Sequence, residues 1–167
     1  MAELTGSGYF YNLATLSMAF AGFSVIVVAL RQVAGKPFSP LQIEFTRLFV
    51  EAGLASALFA MLPPTLAICG LRQPFLWQVA SAIVLVIMVP WLVTWIRRRN
   101  AAQPNGHWST VSVIIAALNW LTLVAVLLNL IGIPITSGPA PIAVLIVVLL
   151  STTSVHFVST FSSFIQG

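Results

Sequence analysis

The chain has 167 residues, 59% of them hydrophobic and only 6% charged, with a formal net charge of +4. Soluble domains carry about 25% charged residues, so there is too little polar surface here to coat a water-soluble globule, and the composition is that of an integral membrane protein. The basic excess is no nucleic-acid signal, because the bases lie in polar breaks and at the ends of apolar runs, where they mark topology; the single cysteine, Cys69, excludes an internal disulfide and a four-thiolate zinc site.

Five apolar stretches are long enough to cross a bilayer as helices, which takes about 20 residues. The N-terminal MAELTGSGYFYNL has an acid and no base ahead of the first run, whereas a cleavable signal peptide wants a positive n-region. Ala19-Phe20-Ala21 has the small-x-small form of a cleavage site, but apolar sequence continues to Leu30, so a retained span is expected over 9–30. Ala14, Ser17, Ala21 and Ser24 form a small-residue stripe along it, of the kind that lets helices pack closely.

After the break RQVAGKPFSP, the second span covers 41–68 and carries two of the three acids in the chain. Glu44, Arg47 and Glu51 are spaced by three and four, so they share one helical stripe, and Arg47 can pair with Glu44 one turn back and with Glu51 one turn on. A charge at the centre of a membrane helix costs roughly 2.5–3.5 kcal/mol on insertion scales. The span is about 42 Å long at 1.5 Å per residue, longer than a hydrocarbon core of about 30 Å. Glu44 and Arg47 are therefore expected at the interface and Glu51 deeper. Ala52, Ser56 and Ala60 form a second small-residue stripe, and Pro63-Pro64 is expected to bend or break the helix near its end.

The third span is expected over 74–96, after CGLRQP, with Pro90 as a second kink site. Arg97, Arg98 and Arg99 begin the most polar break, RRRNAAQPNGH, and form a candidate docking surface for a partner. The fourth span, 108–131, places Asn119, Thr122 and Asn129 on one side, where they must face protein or a pore. The break IGIPITSGPAP is short, so spans four and five are expected to form a tight hairpin; a four-span alternative would make one of them re-entrant. The fifth span, 139–163, aligns Thr152, His156, Ser159 and Ser163 on one face, as helix-to-helix hydrogen-bonding groups or as a water-lined stripe with a titratable imidazole.

Bases after spans one (Arg31, Lys36) and three (Arg97, Arg98, Arg99) fall on one side and only Arg72 on the other, which puts the N-terminus outside and the C-terminus in the cytoplasm. Trp91, Trp95 and Trp108 suit the cytoplasmic interface and Trp77 the outer one. The fold class is thus an all-α polytopic transmembrane bundle of five spans, forming one domain over 1–167 in contact with the lipid bilayer.

The sequence contains no aspartate and no GxSxG, HExxH, CxxC or Walker-type loop, and His107 and His156 lack metal-ligand spacing. No enzymatic activity, cofactor or metal is expected. One functional reading is a homo-oligomeric channel, cations favoured, whose ion path combines Glu44, Arg47 and Glu51 with the polar residues of spans four and five in a shared cavity. The alternative is a non-catalytic accessory subunit of a larger membrane complex, docking through the arginines or an apolar helix face.

The run AFAGFSVIVVALRQ, followed after a short loop by LQIEFTRLFVEAGLASALFAMLPP, resembles small multi-pass proteins of bacterial inner membranes. In these a GF-plus-aliphatic first span ends in Leu-Arg, and the next helix opens with charges and closes in Leu-Pro. The resemblance covers residues 19–64 and implies a bacterial inner-membrane source, with no activity or site residues attached.

Overall fold

The computed structural model describes residues 6–33, 40–102, 109–133 and 137–165, apart from the side chains of 24, 27, 28, 31–33, 41 and 159–165. Among these residues all regular structure is helical: α1 (Ser7–Val33), α2 (Pro40–Ile68), α3 (Phe75–Ala102), α4 (Thr110–Ile131) and α5 (Ala140–Ile165). Helices satisfy every backbone donor and acceptor within the segment, which is what an apolar environment demands. By length and composition α2, α3, α4 and α5 can each cross a membrane, as expected of a helical membrane protein.

Helix ends follow local chemistry. Pro40 opens α2 at a position where its missing N–H removes no hydrogen bond. Ser109 caps α4 by accepting from the Ser112 amide, and Gly132 closes that helix in the left-handed conformation at φ 81°. Pro63, Pro64 and Pro90 do not break their helices, which run on through all three. The Thr94 hydroxyl donates to the Pro90 carbonyl at 2.7 Å.

Helices α2, α3, α4 and α5 pack in a cycle, each against its chain neighbour, with α5 returning to α2. Most of the core lies inside this cycle, and Phe10, Leu13 and Ala14 of α1 join it from outside. Leu76, Ala80, Val84 and Met88 of α3 step by four along one fully buried face, opposite Ile142, Leu145, Ile146 and Leu149 of α5. Helix α1 lies outside the cycle, mainly against α2. Both small-residue stripes are used: Ala14, Ser17 and Ala21 of α1 are buried, as are Ala52, Ser56 and Ala60 of α2, while the side chain of Ser24 lies outside the described residues. At Gly53 the two backbones approach so closely that an added Cβ would sit 2.9 Å from Ala21 Cβ and 3.1 Å from Ala21 N. Aromatic rings continue the contact, with Phe20 stacked on Phe49 at 3.8 Å between centroids and Phe157 of α5 tilted against Phe49 at 4.3 Å.

One expectation needs correction. Helix α3 extends to Ala102, so Arg97, Arg98 and Arg99 ride on its final turns instead of opening a loop. Trp77, in the first turn of α3, and Trp95, two residues before Arg97, are packed against protein and leave only 3% and 4% of their surface exposed; Trp77 stacks on Phe10 of α1. Arg31 (its side chain), Lys36, His107 and Trp108 lie outside the described residues.

Candidate functional site

At the arginine-bearing end of the bundle, the start of α2 runs antiparallel to the end of α3. Glu44 and Glu51 are seven residues apart on one, and Trp91 and Arg98 seven apart on the other, so each pair spans two turns of one face. Helical side chains lean toward their own N-terminus. Glu51 therefore leans toward the opening turns of α2 while Arg98 leans back along α3, and the two meet.

The Glu51 carboxylate accepts from three side chains. Arg98 donates through Nη2 to Oε2 at 3.1 Å and Nη1 to Oε1 at 3.4 Å, Trp91 Nε1 donates to Oε2 at 2.8 Å, and Arg47 Nε donates to Oε1. Arg98 Nε also lies 3.8 Å from Glu44 Oε2, an ion pair too long to be a hydrogen bond. Two carboxylates thus meet two guanidinium groups with no net charge. Side-chain exposure falls from 56% at Arg47 to 27% at Glu51, 22% at Arg98 and 19% at Glu44, so the α2–α3 pairs are the better shielded part.

Of the arginines expected to form a docking surface, Arg97 is exposed, Arg98 turns toward the acids and Arg99 is buried at 4%. The pairing of Arg47 also differs from the wider choice open in the sequence: its hydrogen bond goes to Glu51, and Glu44 faces Arg98.

A second polar group lies one helix layer inward. Asn119, Thr152 and His156, all at most 6% exposed, line a cavity of about 20 Å3 with Thr153, Trp91 and Trp95. The His156 ring stacks on Phe45 of α2, 5.0 Å between centroids and 18° from parallel, and lies 6.3 Å from the Trp95 ring. Asn119 Nδ2 donates to the Ile115 carbonyl at 2.9 Å and to Thr152 Oγ1 at 3.3 Å. Glu44, Arg47 and Glu51 do not line this space. The expected shared cavity is therefore two compartments, and Trp91 touches both, its Nε1 on Glu51 and its ring on the cavity.

Thr122 is buried and donates to its own helix at the Asn119 carbonyl, 2.9 Å away. Asn129 sits ten residues beyond Asn119, about 15 Å along α4 at 1.5 Å per residue. Its Nδ2 donates to Ser81 Oγ at 3.0 Å and to the Gly138 carbonyl at 3.1 Å, and its Oδ1 accepts from the Gly138 amide at 3.1 Å. Asn129 thereby fastens the α4–α5 turn to α3. The side chains of Ser159 and Ser163 lie outside the described residues. Among the described residues no three His, Cys, Asp or Glu side chains come together as metal ligands would.

Trp91 and Arg98 are the partners that sequence reasoning missed. Their signal was the matching seven-residue spacing on consecutive antiparallel helices. Compared with protein-family models, curated proteins and solved structures, the chain matches none.

Proposed function

We propose that the chain is a non-catalytic integral subunit of a larger complex in the bacterial inner membrane. In this reading all five helices span the bilayer, the N-terminus lies outside, and the Glu44–Glu51–Arg98 end faces the cytoplasm. The length of α1, 27 residues, supports a fifth span, and the clustering of arginines at one end supports the orientation.

The observation that carries the proposal is the engagement of Glu51 by Arg47, Trp91 and Arg98. The groups most suited to an ion path are occupied within the chain, where they hold α2 to α3, and the cavity beside them has room for only a water-sized occupant. What remains for function is the outer surface. A homo-oligomeric cation channel, the competing reading, would need Glu44 and Glu51 to turn toward an axis between copies and release these donors.

The test is the mass of the intact particle extracted from native membranes in lipid nanodiscs, with flux measured in proteoliposomes of the isolated chain. The expected result is a stoichiometric heterologous partner and no flux. A ring of identical subunits carrying a cation current that changes in Glu51→Gln, or a monomer with no partner, overturns the proposal.

A further inference from the structure

The cavity among α2, α3, α4 and α5 contains a polar atom without a partner. Asn119 is 5% exposed, and its Oδ1 is buried and accepts no hydrogen bond. The amide cannot be turned around to cure this. Its nitrogen faces the Ile115 carbonyl at 2.9 Å, and exchanging the two atoms would set two acceptors against each other. A buried acceptor left unsatisfied is destabilising, and near the middle of a membrane bundle bulk water is not there to offset it.

We propose that the cavity holds one ordered water molecule, which donates a hydrogen bond to Asn119 Oδ1 and links α4 to α5. This site is independent of the subunit reading. The cavity measures about 20 Å3, enough for one water, which needs roughly 10–15 Å3 on this measure and two to four polar partners. Polar side chains lining it are Asn119, Thr152, Thr153 and His156. The Thr152 and Thr153 hydroxyls donate to the Val148 and Leu149 carbonyls at 2.7 Å, which leaves oxygen lone pairs to accept from the water. A metal cation fits poorly, because it requires several oxygen ligands at once and much of the lining is hydrocarbon from Leu48, Leu92, Ile115 and Leu149. A larger organic ligand does not fit the volume.

The test uses the full chain in lipid nanodiscs, with magnetisation transfer from water to the asparagine side-chain amides read by NMR. A cross-peak from a long-lived water to Asn119 is expected. Asn129, 1% exposed with both its nitrogen and oxygen engaged by Ser81 and Gly138, supplies the internal comparison and should show none. Ala116 also lines the cavity, so Ala116→Leu fills it and should abolish the Asn119 peak; the smaller Ala116→Val serves if the leucine variant does not fold. A wild-type spectrum without the peak overturns the proposal, as does a peak that persists unchanged in the cavity-filling variant.

Discussion

Separating Glu51 from its two arginines offers a quantitative test of the charge cluster. Arg47 and Arg98 both donate to the same carboxylate, but their settings differ. Arg47 is a neighbour on the same helix, four residues away and 56% exposed. Pairs of that kind contribute little, because solvent screens them. Arg98 comes from another helix, is 22% exposed, and addresses both carboxylate oxygens at 3.1 and 3.4 Å. Two unit charges about 4 Å apart attract by about 4 kcal/mol at an effective dielectric constant of 20, of which desolvation removes a large part. A coupling of about 1–3 kcal/mol for Glu51–Arg98 follows, within the range measured for residues in contact. The assay is a pair of double-mutant cycles, Glu51→Gln with Arg98→Gln and Glu51→Gln with Arg47→Gln, read as reversible unfolding in bicelles. Glu51→Gln keeps the length and shape of the side chain and removes its charge, whereas Arg→Gln also removes the guanidinium donors, so each cycle reports the whole pairwise interaction, charge and hydrogen bonds together. A coupling for Arg98 below about 0.5 kcal/mol, or no larger than that for Arg47, would refute the argument that the inter-helix pair dominates.

Gly53→Ala should loosen α1 from α2. Carbon atoms prefer separations of about 3.5–4.0 Å, against the 2.9 Å available to the new Cβ, and overpacking of this kind costs about 1–3 kcal/mol; an unfolding midpoint equal to wild type would show that the crossing is looser than described. Cys69 is the only cysteine and is exposed, at the bundle end opposite Arg97–Arg99. In intact cells it should react with a membrane-impermeant maleimide if the N-terminus is outside, and labelling only after the membrane is opened would invert the orientation.

The helices themselves were legible because a bilayer-length apolar run has few alternatives. The expected span 41–68 meets α2 at Pro40–Ile68, and 108–131 meets α4 at Thr110–Ile131. The polar positions on α4 were legible for a similar reason: Asn119, Thr122 and Asn129 cannot face hydrocarbon, and all are buried against protein. Partners were not legible. Hydropathy stops at the first run of charges, so it ends the third span at 96 and assigns the arginines to a polar break. The helix in fact continues while its charges find acids on a neighbouring helix, and no property of α3 alone announces that. The separation of the Glu51 cluster from the His156 cavity turns on the orientation of one indole, Trp91, which spacing along a chain does not specify.

The α2–α3 charge pairing also bears on how the chain enters a membrane. Helices α2 and α3 are consecutive and joined by a short turn, 69–74. Glu44 and Glu51 can meet Arg98 as soon as this hairpin forms, before α5 has packed against α2. The hairpin then partitions into lipid with its carboxylates and guanidinium group already matched, avoiding much of the penalty of inserting each charge alone. Helix α5, the last made, has no such requirement: the cycle closes when its apolar face reaches α2. Translocation machinery that must release α2 and α3 together, and can release α5 by itself, is the biogenesis this arrangement calls for.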